Sequence, residues 1–328
     1  MSSISEEAGD QAAPETQATR VASHTRPRVS PAPQRPSDGA RDVIVVEVGP
    51  RDGLQNEPNP ITTDVKIAFV NALTSASLPV IEVTSFVNPR AVPQLADADE
   101  VMTGIERAPG VRYPVLVPNE RGLDRALAVG VREIALFTAA TEEFAKANVG
   151  TSIDGTFERF GPVASRARER GIWIRGYVSV AFGCPYAGAV APEAAVAVAE
   201  RLLALGCDEV CLADTIGNAS PEGVRAVLRE AIPTIPAPRL ALHFHDTSRM
   251  ALANVEAGLA HGVRIFDSAA GGLGGCPFAP GAAGNLATER LLERLDRLGL
   301  RTGVDLEQVE AAADLLRPHI PRLQTSFA

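Results

Sequence analysis

The sequence predicts an α/β fold: a closed parallel (β/α)8 barrel, with an extra C-terminal helix and a disordered N-terminal tail. Three observations predict it. Short β-branched runs alternate with longer helical patterns eight times between Val43 and the stretch after Ala269. The runs are nearly continuously apolar, as parallel strands covered on both faces should be. Polar residues gather where the runs end, which is where barrels of this kind carry their chemistry. A doubly wound sheet is the competing architecture. It is disfavoured because no G-x-G-x-x-G follows the first strand, and the Gly-rich stretch Gly271 to Gly275 comes after the eighth instead.

Residues 1–42 are rich in Pro, Ser, Ala and Gln and poor in large apolar side chains, so they cannot offset the entropy of ordering. They are expected to form the tail, and residues 43–328 a single barrel domain. The tail lacks the apolar segment of a secretory signal, and Glu6, Glu7, Asp10 and Glu15 argue against an organelle transit peptide. Val43 to Val48 is the first strand, apolar except for Glu47. Thr62 or Thr63 caps a helix reaching Ser77. Val80 to Phe86 is the second strand, followed by a helix from Pro93 to Ile105. Arg112 to Val117 and Val131 to Phe137 are the third and fourth strands, separated by a helix from Glu120 to Val129. Thr141 to Val149 leads into a long helix, Ile153 to Arg170. Strands Ile172 to Ala181, Glu209 to Ala213, Leu240 to His245 and Val263 to Ala269 follow. Their helices run Pro192 to Leu205, Pro221 to Ala231, Met250 to His261 and Ala283 to Leu298, with Leu306 to Leu316 as the extra one.

Composition excludes several classes. Of 328 residues, 31 are basic and 40 acidic, giving a net charge of -9 with no basic block for nucleic acid. An anionic ligand must therefore be met by local cations. No apolar run reaches the roughly 18 residues of a membrane span. Cys184, Cys207, Cys211 and Cys276 form no paired C-x-x-C units, so free thiols in a reducing, cytoplasmic setting are expected.

The strand ends carry the candidate chemistry. His243 and His245, at i and i+2, share one face of a strand. Asp52 after the first strand is close to them in a barrel, since only the eighth strand intervenes. Two imidazoles and a carboxylate suit a divalent metal, and Asn285 adds a carbonyl oxygen that favours Mg2+ or Mn2+. Asp52 in Arg-Asp-Gly also reads as a turn residue. Arg51 is a permanent cation suited to an enolate oxygen, or a surface arginine paired with Asp52. Glu82 stands in an otherwise apolar strand and is either functional or in a structural ion pair. Arg175 and Tyr177 lie in the fifth strand. Asp214 reads as a cap or as a second catalytic carboxylate. Cys276, in a glycine-rich loop, reads as a nucleophile, a general acid, or a buried thiol; Cys207 and Cys211 read as buried thiols only.

These residues resemble a known family. Glu47-Val-Gly-Pro-Arg-Asp-Gly-Leu-Gln-Asn-Glu57, Glu82-Val-Thr-Ser-Phe86, Arg175-Gly-Tyr177, Ala213-Asp-Thr-Ile-Gly217, His243-Phe-His-Asp-Thr247 and Gly271-Gly-Leu-Gly-Gly-Cys276 are similar to hydroxymethylglutaryl-CoA lyases. The resemblance implies a TIM barrel, a divalent cation, an acyl-CoA substrate and a homodimer. It implies retro-Claisen cleavage of 3-hydroxy-3-methylglutaryl-CoA to acetyl-CoA and acetoacetate, a step of leucine degradation and ketone body metabolism. Asp52, His243, His245 and Asn285 then look like the metal ligands. Arg51 would steady the enolate, Cys276 would protonate the acetyl carbanion, and Glu82 and Asp214 would orient substrate. His243 is also a conceivable assistant in proton transfer, and Gln55 and Arg249 join Arg51, Arg175 and Tyr177 as substrate contacts. Two departures bear on the acyl group. Ser248-Arg249-Met250 replaces the family's Tyr-Gly-Gln, and Pro58 stands where lysine is usual. A related 3-hydroxyacyl-CoA such as citramalyl-CoA is therefore an alternative, as is a Claisen-type synthase of the same superfamily. A metal-binding interaction module without activity predicts loss of Arg51 or Cys276, and both are present.

Overall fold

The apolar runs pair side by side as their continuous hydrophobicity requires. The computed structural model describes residues 41–275 and 284–324. The strands are β1 (Ile44–Glu47), β2 (Val80–Ile81), β3 (Val115–Leu116), β4 (Glu133–Ala139), β5 (Trp173–Ser179), β6 (Glu209–Asp214), β7 (Leu240–Phe244) and β8 (Ile265–Ser268). They form one parallel sheet in the order β2-β1-β8-β7-β6-β5-β4-β3. The ends of that order also meet. Ile81 N–H donates to Arg112 O, Val83 N–H to Pro114 O and Leu116 N–H to Thr84 O. The sheet thus curls back on itself as a TIM-barrel-like α/β fold.

The second and third strands are shorter than their sequences suggest. Pro114 has no N–H to give, so the regular ladder shrinks to two residues in each strand, with a further bridge between Ser85 and Leu116. β6 and β7 are buried along their whole length, as both faces are covered.

The helices are α1 (Thr63–Ser75), α2 (Ala98–Gly104), α3 (Glu120–Ala128), α4 (Glu142–Val149), α5 (Ile153–Glu169), α6 (Pro192–Leu205), α7 (Pro221–Ala231), α8 (Ala251–Ala260), α9 (Thr288–Arg297) and α10 (Leu306–Asp314). Their starts follow capping chemistry. Asn119, Thr141, Ser152, Ser220 and Asp305 each accept a backbone N–H from the first turn. Pro192 and Pro221 open α6 and α7, where a missing N–H costs nothing. Two helix boundaries move. Pro93–Leu95 is a separate 3-10 turn ahead of α2. The helix expected from Ala283 starts at Thr288, because Gly284, Asn285 and Leu286 are extended and hydrogen-bonded between the ends of β7 and β8. Asp42 accepts from Arg301 N–H and Nε, and Arg41 donates to Ser77 O, so the described chain is tied down from its first residues. Among the described residues no helix is long and apolar enough to cross a membrane.

Candidate active site

The chain leaves β1 in a tight turn, Gly49–Gly53, in which Val48 O accepts the N–H groups of Arg51, Asp52 and Gly53. Its two glycines leave no room for a side chain: a Cβ at Gly49 would lie 2.5 Å from Glu47 Oε1, and one at Gly53 2.7 Å from Leu273 Cβ. The turn places Arg51 and Asp52 at the C-terminal end of the barrel. β7 delivers His243, and His245 follows just beyond it, bridged to Asn285. Their rings are 5.2 Å apart. Ligand atoms of Asp52, His243 and His245 all lie within 4.8 Å of one another, as required for three ligands of one ion.

Asn285 lies beside this group. Its Nδ2 donates to Asp52 Oδ2 at 3.0 Å and to Leu273 O at 2.9 Å. Both partners are pure acceptors, so the amide nitrogen must face them. Its Oδ1 is consequently left buried with no partner. An orphaned carbonyl oxygen beside two imidazoles and a carboxylate fits a divalent cation. The extended backbone at residues 284–286, hydrogen-bonded to Phe244, Asp246 and Ala269, brings Asn285 beside Asp52.

Arg51 is held between two carboxylates, with Nη1 on Asp52 Oδ1 at 2.6 Å and Nη2 on Glu82 Oε2 at 2.8 Å. Tyr177 donates to the same Glu82 oxygen at 3.1 Å. Burial disfavours the Arg51 charge, yet Glu82 and Asp52 raise its pKa above the ordinary arginine range. Burial likewise opposes the Asp52 carboxylate, but Arg51 and the two histidines hold it well below the usual carboxylate range. Burial pushes the Tyr177 phenol well up, so it is a neutral donor.

Arg51, Asp52, Gln55, Tyr177, His243 and His245 all line one cavity of about 330 Å³. Other expected site residues lie elsewhere. Arg175 is not in that cavity. It sits deeper in the barrel, 1% exposed, with Nη2 on Asp267 Oδ1 at 2.6 Å and Nε 3.4 Å from Glu209 Oε1. Asp214 spends both carboxylate oxygens on the N–H groups of Asn218 and Ala219, capping the turn after β6; burial raises its pKa. Arg249 is exposed, has positive φ and does not line the cavity. Cys276 lies outside the described residues; Gly275, just before it, lines the cavity. Cys207 and Cys211 are buried, and burial raises both thiol pKa values.

Two carboxylates escaped the sequence reading as site residues. Asp267 faces His243 Nδ1 at 3.3 Å. Glu47 accepts from Gly49 N–H, Ala270 N–H and Thr288 Oγ1, and so joins the Arg51 turn to the start of the glycine-rich loop. Burial pushes its pKa up to about 7. A lone carboxylate in an apolar strand, the signal that singled out Glu82, was available for both.

A family model described as HMGL-like matches residues 42–316. The chain belongs to that family. A cytoplasmic 3-hydroxy-3-methylglutaryl-CoA lyase of Rattus norvegicus is 52% identical over 274 residues, covering 84% of this chain and 80% of its own. A crystal structure of the HMG-CoA lyase of Brucella melitensis superposes with a TM-score of 0.83 at 48% identity, covering 85% of this chain and 99% of that one. An HMG-CoA lyase of Acinetobacter baumannii in complex with coenzyme A and 3-methylmalate superposes at 0.81, 38% identical over 84% of this chain and 90% of its own. The HMGL-like barrel therefore extends over nearly all of the described chain.

Proposed function

We propose that this protein is a carbon-carbon lyase that cleaves 3-hydroxy-3-methylglutaryl-CoA to acetyl-CoA and acetoacetate with a divalent cation, Mg2+ or Mn2+. One observation carries the reading: Arg51, Asp52, His243 and His245 share one cavity, and Asn285 offers the ion set an unpartnered carbonyl oxygen. Membership of the HMGL-like family supports it.

Asp52, His243, His245 and Asn285 would hold the cation, which when bound supplies Lewis acidity to the tertiary hydroxyl. A general base takes that hydroxyl proton, and the alkoxide at C3 becomes the ketone of acetoacetate as the C2–C3 bond breaks. The C2–C3 bonding pair passes to C2, giving the enolate of acetyl-CoA. Arg51 meets the enolate oxygen as a fixed cation, oriented by Glu82 and Asp52 and with its buried Nε–H uncommitted. Tyr177 and Gln55 border the acyl group, and Cys276 returns a proton to C2. Asp214 and Arg175 act as framework in this reading, and Arg249 makes no contact with the acyl group.

Purified protein incubated with Mg2+ and a panel of 3-hydroxyacyl-CoAs should release acetyl-CoA and acetoacetate from the 3-hydroxy-3-methylglutaryl thioester. Release only from citramalyl-CoA would move the substrate and keep the reaction, and release from none would sink the lyase reading. Cys276→Ala should lower kcat by at least ~10²-fold; an unchanged kcat removes that thiol from the chemistry. A homodimer in the cytoplasm belongs to the same reading and is checked by sedimentation of the pure chain and by cell fractionation.

A further inference from the structure

β8 carries a wholly buried carboxylate, Asp267, at the register position directly beside His243 of β7. Its two oxygens have separate tasks. Oδ2 lies 3.3 Å from His243 Nδ1, and Oδ1 accepts from Arg175 Nη2 at 2.6 Å. Arg175 in turn lies 3.4 Å from Glu209 Oε1, and Cys211 Sγ donates to Asp267 Oδ2 at 3.7 Å. None of Asp267, Glu209 and Arg175 lines the active-site cavity. The other imidazole is held differently, since His245 Nδ1 is buried without a partner.

A neutral imidazole has one N–H and one lone pair, and the partner at one nitrogen decides which is which. A carboxylate can only accept, so Asp267 places the proton on Nδ1 and leaves the lone pair on Nε2. Arg175 locks the carboxylate in place by occupying its other oxygen, so the ring cannot turn without losing its hydrogen bond to Asp267.

We propose that Asp267 is a positioning residue for the metal centre: it fixes His243 as the Nδ1–H tautomer with Nε2 presented to the cation, and Arg175 with Glu209 holds Asp267 there. The presentation to a cation rests on the metal-site reading above, while the tautomer belongs to the metal-free protein. This gives Arg175, expected from the sequence to touch substrate, a place one layer deeper.

The test uses metal-free full-length protein, labelled with 15N, at pH 8. Two-bond 1H–15N spectra report the tautomer of each histidine, and His243→Gln identifies the resonance. Wild-type His243 should carry its proton on Nδ1. In Asp267→Asn the amide oxygen must still face Arg175, which needs an acceptor. The amide NH2 then meets His243 Nδ1 and drives the proton to Nε2. The dissociation constant of Mn2+, read by electron paramagnetic resonance on folded protein, should rise about 10–100-fold. An Nε2–H tautomer in the wild type overturns the proposal even if the variant fails to fold. So does a folded variant with unchanged tautomer and unchanged Mn2+ affinity. Wild-type protein that shows the Nδ1–H tautomer but binds no Mn2+ overturns the metal-site reading instead, and with it the presentation of Nε2 to a cation.

Discussion

Two buried clusters flank the turn after β1, and they are built in opposite ways. Around Glu47 the carboxylate is fully used: Oε1 accepts from Gly49 and Ala270 N–H at 2.8 and 2.9 Å, and Oε2 from Thr288 Oγ1 at 2.6 Å. Around Asp52, four buried polar atoms lack partners: Arg51 Nε, Glu82 Oε1, His245 Nδ1 and Asn285 Oδ1. Leaving a buried polar atom unpaired costs about 1–3 kcal/mol. Five residues apart along the chain, one carboxylate has its oxygens taken up by protein donors, while the group around the other keeps donors and acceptors open. In the proposed function the first cluster is framework and the second is the receptor for the cation.

Substitutions can break that contrast. The largest effect is expected at the receptor's anionic ligand. Asp52→Ala should abolish retention of the cation and lower kcat by about 10³-fold or more, since a bound metal contributes several kcal/mol to the transition state; metal analysis after gel filtration and a steady-state assay check it. Arg51→Met should lower kcat by about 10²–10³-fold, the usual loss for one oxyanion donor, while Mn2+ affinity, measured by titration, stays within tenfold. If Mn2+ binding collapses as well, the two roles are not separable.

The framework cluster predicts a pH effect instead. Burial raises Glu47 from 4.5 to about 7. A raised acid pKa means the folded state holds the proton more tightly. The contribution to stability is full below about pH 4.5 and lost as pH rises through about 7. For Glu47 the shift is worth on the order of 3 kcal/mol. Glu47→Gln keeps the shape and the acceptor for both N–H groups, so its melting temperature should fall less than the wild type's between pH 4.5 and 7.5. Parallel curves would show that Glu47 does not titrate there. The smallest effect is expected at Arg249. Arg249→Ala should leave KM within about twofold, the span of an ordinary surface substitution; a tenfold rise would return that residue to the substrate.

Much of this was legible in the sequence because apolar runs and strand-end polar residues carry their own signal. The eight strands follow from the runs, and the Asp52–His243–His245 group follows from where those runs end. What was not legible depends on depth or on distant partners. Arg175 and Tyr177 share a face of β5, so alternation treats them alike. Yet Arg175 pairs in register with Glu209 while Tyr177 lies one layer higher, opposite Cys211, at the cavity. Asp214 could be read either as a cap or as a catalyst, and only the N–H groups of Asn218 and Ala219 settle how its oxygens are used. Asn285 was found as a ligand type but placed in a helix, because nothing local reveals that Leu286 N–H is claimed by Phe244 O.

The seam between β1 and β8 has a consequence for synthesis. Asp52 and Asn285 are 233 residues apart, Glu47 and Thr288 241, and Asp42 and Arg301 259. A nascent chain emerges N-terminus first. Until the last β/α unit clears the ribosome, β1 has no partner on one side and presents an open, apolar strand edge. Both halves of the proposed cation site stay apart for the same interval. The pocket is therefore among the last features to form in the cell, and a chain stalled before β8 leaves the apolar edge of β1 open.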